Sequence, residues 1–427
     1  MIQILKYGEV DNQDIFARTM PMANVQDVVA SILADVRENG DKALYQYAAK
    51  FDGAMLSSLQ VSPEEIDEAL TLVEAEFLAV LKKAEANIRR FHEKQKREGF
   101  ILREENGVVM GQKITPVDRA GLYVPGGTAA YPSTVLMDAI PAKIAGCKDV
   151  VMTTPPNKEG KINPAILAAA HIAGVDRIYK VGGAQAIAAL AYGTETIAKV
   201  DKIVGPGNAY VAEAKRQVYG AVSIDMIAGP SEILIVADEK ANPAHVAADL
   251  LSQAEHDKMA SAVLVTDSEA LALSVQAEIE KQIVCLPREA FARVSIDTNG
   301  KIIVADSLEV AVEIANEIAP EHLELCVQDP FAYLGQVRHA GSVFMGYHCP
   351  EALGDYLAGP NHTLPTSGSA KFASPLSVDD FIKKTQFTYF PKDALCAVAE
   401  DVALFAEKEG LSAHAKSATI RTEGKNE

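Results

Sequence analysis

Behind Ser62-Pro63-Glu64-Glu65, apolar residues recur at Ile66, Leu70, Val73, Phe77, Val80, Ala84, Ile88 and Phe91, three and four apart. That spacing predicts one apolar stripe along a long helix. Ser62 suits its N-cap, Pro63 its first position, and Glu65 the return bond of a capping box. The first hundred residues read as helical throughout. From Gly121 the period changes. Short continuous apolar runs (LYVPGG, DVVMTTPP, RIYKVGG and KIVGPG, then EILIVAD, AVLVTDS, KIIVADS, LELCVQD and SVFMGYH) alternate with stretches of helical pattern. Strands apolar on every residue imply sheets covered on both faces. Their alternation with helices implies parallel βαβ units. The series breaks near Ala228-Gly229-Pro230, and each group is too short for one large sheet.

The expected fold is therefore α/β: two small, doubly wound, incomplete Rossmann-like domains with N-terminal helices and a helical C-terminal tail. The boundaries are placed at 1–24 for an N-terminal segment, 25–126 plus 234–376 for a first α/β domain, 127–233 for a second, and 377–427 for the tail. After Gly341 the pattern loses its period. The stretch GYHCPEALGDYLAGPNHTLPTSGSAKFASPLS is dense in Gly, Pro and Ser, yet it holds Asp355, Tyr356, Asn361 and His362. Long irregular stretches inside compact chains are usually functional or disordered. Helices are predicted over Val378–Lys384 and Asp393–Glu409, with Gly410 as the stop.

Composition narrows the function. With 48% apolar and 23% charged residues over 427 positions, the chain is an ordinary globular one. A net charge of −18 argues against nucleic acid or an anionic membrane as partner, since either needs a basic face. A small cationic ligand is easier to accommodate. The N-terminus shows no signal-peptide pattern and no apolar run approaches membrane-spanning length. The five cysteines are scattered and never in C-x-x-C spacing, which suggests reduced thiols in a cytoplasmic protein.

The candidate chemistry gathers around Leu250-Leu251-Ser252-Gln253-Ala254-Glu255-His256-Asp257. It closes a segment, Ala244 to His256, of helical pattern. Gln253 and His256, three apart, are neighbours on such a helix. Together they offer half a metal site, or simply a solvated helix end. Glu321-His322, Asp355 with His362, and Glu409 with His414 supply further donors. Glu321 and His322 point apart in extended chain unless the backbone turns, and Pro320 favours a turn there. His322 is a candidate general base. His92, His171, His245, His339 and His348 lack such company and read as structural or surface residues. Three Gly-rich turns follow strands: Val124-Pro125-Gly126-Gly127-Thr128, Val181-Gly182-Gly183-Ala184-Gln185, and Gly205-Pro206-Gly207-Asn208. They are either a dinucleotide cradle or ordinary βα turns. A competing chemistry would use Cys349 as nucleophile, but nothing in its flanks predicts a lowered pKa.

Taken together, the segments GLYVPGGTAAYPSTVLMDAIPAKIAG, VGGAQAIAALAYGT, VDKIVGPGNAYVAEAKRQV, IDMIAGPSEILIVAD, DLLSQAEHD, IAPEHLEL, GDYLAGPNHTLPTSGSAKF, LSVDDFIKK and EGLSAHAKS resemble, in order, the histidinol dehydrogenase family. The match runs from Gly121 to His414. Pro360, before Asn361-His362, is the one departure. The resemblance implies oxidation of L-histidinol through bound L-histidinaldehyde to L-histidine, with two NAD⁺ and one Zn²⁺ per site, in the last steps of histidine biosynthesis. It implies zinc ligands Gln253, His256, Asp355 and His414, and catalysis by Glu321 and His322. Substrate contacts would be Ser231, Gln253, His256, His322, Asp355, Glu409 and His414, with His362 and Tyr356 nearby. Tyr123, Gln185 and Asn208 would touch NAD⁺. The tail would cross to the partner in a homodimer, so that active sites are shared. Rival readings are a metal-dependent hydrolase, a Cys-dependent aldehyde dehydrogenase and a non-catalytic binding protein for a cationic amino acid.

Overall fold

A computed structural model describes residues 1–17, 25–126 and 130–422 of the chain. In chain order its strands are β1 (Gln3–Lys6), β2 (Phe100–Arg103), β3 (Val109–Pro116), β4 (Arg119–Tyr123), β5 (Asp149–Thr154), β6 (Arg177–Lys180), β7 (Lys202–Val204) and β8 (Ser223–Ile224). They continue as β9 (Glu232–Ala237), β10 (Ser261–Thr266), β11 (Lys301–Val304), β12 (His322–Cys326), β13 (Ser342–Met345) and β14 (Ile382–Tyr389). The chain divides into two compact units, Met1–Gln95 with Val117–Phe381, and Lys96–Pro116 with Ile382–Glu427.

The larger unit holds two parallel sheets, as the continuous apolar runs require. One is ordered β6-β5-β4-β7-β8, the other β1-β11-β10-β9-β12-β13. Every pairing in both is parallel. Numbered within its own half, each sheet has strand order 3-2-1-4-5, with β1 added outside β11. Successive residues feed opposite faces. In β4, Ala120 and Leu122 join one apolar cluster with the helices Pro132–Ala145 and Pro164–Ala173, while Tyr123 joins another. In β9, Ile233 and Ile235 face the helix Pro243–Ala254, and Leu234 and Val236 face the helix Leu308–Ile318. Burial on both faces favours apolar residues along these strands. Among the N-terminal helices, Gln26–Tyr47 shares its cluster with Gly183–Tyr192, and Ala75–His92 shares the other face of the five-stranded sheet.

Four local expectations are corrected. The single stripe after Ser62 is two helices, Pro63–Leu72 and Ala75–His92, parted at Val73, where the backbone is extended. The capping box at Ser62 and Glu65 is present, but the second helix buries Leu81, Ala84, Ile88 and His92 and leaves Phe77, Val80 and Phe91 exposed. The first hundred residues also contain β1, whose partner β11 lies some three hundred positions away, beyond the reach of local pattern. The stretch after Gly341 contains a short helix, Glu351–Tyr356. The helix expected over Val378–Lys384 is a 3₁₀ turn, Val378–Phe381, running into β14. Ile382, Thr385, Phe387, Thr388 and Tyr389 are residues that favour strands.

The smaller unit is an antiparallel sheet, β14-β3-β2, with the helices Lys392–Lys408 and Ser412–Thr419. The two helices meet through Ala403, Ala406 and Ala415. Its apolar side chains are largely uncovered: Phe100, Ile101, Leu102, Tyr389, Leu404 and Phe405 are all exposed.

Candidate active site

At the carboxyl ends of the five-stranded sheet lies a cavity of about 1050 Å³, lined by residues that include Tyr123, Gly126, Gly183, Gln185, Asn208 and Tyr210. It sits at the switch between β4 and β7, where doubly wound sheets bind ligands. Each Gly-rich turn contributes a wall. The Tyr123 hydroxyl accepts the Gly183 N–H at 3.1 Å. Asn208 caps the helix Ala209–Val218, its side chain accepting the Tyr210 and Val211 N–H groups at 3.0 and 3.2 Å. Gly205 has φ +111°, and a Cβ there would lie 2.2 Å from the Tyr123 carbonyl oxygen. Only glycine fits. Gly127 and Thr128 lie outside the described residues.

A second cluster occupies the amino edge of the six-stranded sheet. Ala319 ends its helix at φ 49°, and Pro320 follows. This turn brings both Glu321 and His322 onto the backbone of Glu232. The Glu232 N–H donates to Glu321 Oε2 at 2.9 Å, and His322 Nδ1 lies 3.0 Å from the Glu232 carbonyl oxygen. Only a protonated Nδ1 can make that contact, so Nε2 carries the lone pair. Nε2 is buried without a hydrogen-bond partner, 3.7 Å from Glu351 Oε1, which also has none. Burial lowers the His322 pKa to about 4, so the ring is neutral at pH 7. Burial pushes the Glu321 carboxyl well above the usual range, reinforced by Glu232, Asp355 and Glu351 nearby.

The short helix Glu351–Tyr356 supplies the carboxylates. Glu351 and Asp355, four apart, share a face. The Glu351 N–H donates to the buried Glu324 carboxyl at 2.7 Å, which holds the start of the helix. Ligand atoms of His322, Glu351 and Asp355 lie within 4.8 Å of one another. Burial and then the Asp355 charge raise the Glu351 pKa to about 8. Burial works against the Asp355 carboxylate, but His362, 3.5 Å away, outweighs it and holds the pKa down to about 2. Gln253, fully buried near the end of the helix Pro243–Ala254, lies beside Glu351, and neither of its amide atoms has a hydrogen-bond partner.

A neutral imidazole, paired carboxyls and a large cavity at Gly-rich turns suit proton and hydride transfer. The family model for histidinol dehydrogenase matches residues 17–422. The chain is 53% identical over 426 residues to histidinol dehydrogenase of Clostridium acetobutylicum, covering 99% of each chain. It is 57% identical to that of Bacillus cereus over 93% of each. The crystal structure of histidinol dehydrogenase from Elizabethkingia anophelis superposes with a TM-score of 0.95 at 41% identity, covering 100% of this chain and 99% of that one. The chain belongs to the histidinol dehydrogenase family.

Histidinol dehydrogenases are oxidoreductases acting on a CH–OH group, and the residues expected to serve that chemistry fall into three sets here. Gln253, Glu321, His322, Asp355 and His362 are brought together around Glu351. His256 follows the helix end, its N–H bonded to the Gln253 carbonyl oxygen at 3.0 Å, and its ring is exposed. Ser231 immediately precedes β9, next to Glu232, and Tyr356 ends the Glu351 helix with an exposed ring. Tyr123, Gln185 and Asn208 line the separate cavity. Glu409 and His414 belong to the smaller unit. Glu409 caps the helix Lys392–Lys408, His414 lies in the first turn of the next helix, and both are exposed. Sequence reasoning missed Glu351. Its four-residue spacing to Asp355 was the available signal, hidden in a stretch read as irregular. Of the unassigned histidines, His92 is a structural one, buried between Gln95 and Asn361.

The cluster fits a metal ion. Buried polar atoms without partners are rare in folded proteins. Here they are an amide, an imidazole nitrogen and a carboxylate oxygen, next to a second carboxylate. Nitrogen and oxygen donors of this kind are those zinc accepts.

Proposed function

We propose that this chain is a zinc-dependent, NAD⁺-linked L-histidinol dehydrogenase that carries the substrate through two oxidations to L-histidine. Cytoplasmic location and a homodimer with shared sites are part of the proposal. The observation that carries it is the unpartnered His322 Nε2, buried and neutral beside Glu351 and Asp355. Gln253, His256, Asp355 and the partner's His414 would hold the zinc ion. Glu351, next to them, is a further candidate ligand. When bound, zinc supplies a positive charge that orients the imidazole and amine of the substrate, and NAD⁺ supplies the hydride acceptor.

His322 takes the hydroxyl proton at Nε2 while the carbinol carbon gives up hydride. The Glu232 carbonyl oxygen holds Nδ1–H and with it the tautomer. The aldehyde stays in place. Glu321 has a desolvated carboxyl with raised proton affinity, and it draws a proton from the water that adds to the aldehyde carbon. His322, having released its first proton, takes the hydrate hydroxyl proton as the second hydride leaves. L-Histidinol, water and two NAD⁺ thus become L-histidine, two NADH and three protons. The dimer reading is supported by the exposed apolar side chains of the smaller unit, a patch suited to a second copy.

The test is NADH formed per histidinol consumed, before and after chelation. Two per histidine, lost with the metal and restored by Zn²⁺, is the expected result. One NADH with free aldehyde would overturn the two-step site. Mixing a His414→Asn variant with a His322→Asn variant should restore activity, since a hybrid dimer contains one intact site. No recovery after confirmed subunit exchange would overturn the shared-site arrangement.

A further inference from the structure

We infer that the buried Lys215–Asp225 ion pair is a positioning device that fixes the Gly205 peptide, and with it the turn Gly205–Asn208 at the cofactor cavity. The inference rests on the proposal that this turn faces NAD⁺. Lys215 and Asp225 contact each other with side chains 1% exposed. Both also grip one residue. Lys215 Nζ donates to the Gly205 carbonyl oxygen at 2.9 Å, and Asp225 Oδ2 accepts the Gly205 N–H at 2.8 Å. Asp225 Oδ1 accepts the Met226 N–H at 2.6 Å, which anchors the carboxylate in turn. Burying two charges is a poor way to gain stability, since apolar residues of the same volume often serve as well or better. Holding both the N–H and the carbonyl oxygen of Gly205 by hydrogen bonds is something apolar residues cannot do.

The position held is the one that matters. Gly205 follows β7, at φ +111°, wedged against the carbonyl oxygen of Tyr123, which ends β4. Lys215 sits on the helix capped by Asn208, so the same contact ties the turn to the helix N-terminus that faces the cavity. From the third side comes Asp138. Its Oδ2 would lie 2.9 Å from a Cβ at Gly205, and its Oδ1 accepts the Thr363 hydroxyl at 2.8 Å. Thr363 follows His362, whose ring meets Asp355. The turn is thereby tied to the segment that carries the catalytic cluster.

The experiment uses the full-length, zinc-loaded protein and two variants, Lys215→Met and the uncharged double variant Lys215→Met with Asp225→Asn. Three quantities are read: amide hydrogen exchange over residues 203–211, NADH affinity, and histidinol affinity. The expected result is faster exchange at Gly205 and at least tenfold weaker NADH binding, with histidinol affinity within twofold of the parent. Unchanged exchange and unchanged NADH affinity in a folded double variant would overturn the positioning role. Equal losses of NADH and histidinol affinity with a lowered Tm, or failure of both variants to fold, would overturn it in favour of a general core role. Faster exchange with unchanged NADH affinity would support the clamp and overturn the cofactor reading of the turn.

Discussion

The two parallel sheets of the larger unit have the same strand order but use opposite edges. In the five-stranded sheet, the switch between β4 and β7 opens at the carboxyl ends into a cavity walled by Gly-rich turns. In the six-stranded sheet, the equivalent switch lies between β9 and β12, and hydrogen bonds cross its carboxyl end. Asp238 there accepts the Tyr347 hydroxyl at 2.8 and 2.9 Å and the Gln328 N–H at 2.8 Å. The buried ionisable cluster stands instead at the amino edge, where Glu232 and His322 begin their strands. Shared topology therefore does not carry a shared site. What decides is which residues stand at each edge: glycines whose peptides a ligand can approach, or a side-chain knot tied across the crevice.

The sharpest way to break this contrast is at the amino edge. His322→Asn should lower turnover in both oxidation steps by roughly 10³-fold, the scale of a lost general base. Zinc content and histidinol binding should survive. If metal is lost along with activity, the amino edge is a ligand sphere and the base lies elsewhere. A smaller effect is expected from Glu351→Gln, which removes one ionisable carboxyl beside Gln253 and Asp355. Zinc affinity should fall by about 10- to 100-fold, the range seen when groups supporting a metal are altered. Metal binding unchanged by that substitution would confine Glu351 to substrate or proton handling.

The knot at Asp238 predicts a smaller effect still, and one of a different kind. Tyr347→Phe removes a hydroxyl bonded to both oxygens of a buried carboxylate and should reduce stability by about 1.5–3 kcal/mol. NADH affinity should not move, as measured by titration beside a chemical denaturation curve. A change in NADH affinity would mean that the second carboxyl edge also bears on the cofactor.

Much of this arrangement was legible in the chain. The nine continuous apolar runs each became a parallel strand, and the break near Ala228-Gly229-Pro230 falls between β8 and β9. The Gly-rich turns were readable because glycine is demanded by backbone geometry, as at Gly205. What stayed hidden depended on distant partners. β1 takes its identity from β11, and β14 from β3. Glu351 lay in a stretch whose Gly and Pro content masked a helix of six residues. The helix stands because Glu324, on a strand elsewhere in the sequence, accepts its first N–H. The knot at Asp238 had no local signal either, since Tyr347 is over a hundred residues away.

The open cavity makes the subtlest prediction. Asp52, on its wall, has an oxygen with no hydrogen-bond partner, and burial raises its pKa to about 6 from an ordinary 3.8. A carboxyl with a raised folded-state pKa favours the folded protein most below its unfolded pKa. That contribution is lost as pH rises from about 3.8 through about 6. Above this window the wild-type chain carries an unpaired, partly desolvated charge. Asp52→Asn removes it. Because the group is a little over half buried, solvent screening leaves a gain of only about 1 kcal/mol at pH 8. Below pH 4 the variant and the parent should unfold alike. The same charge repels the phosphates of a dinucleotide, so NADH should bind the variant more tightly at pH 8 and equally at pH 5. A gain in stability that persists at pH 4, or NADH affinity indifferent to the substitution at pH 8, would place Asp52 outside the electrostatics of the open edge.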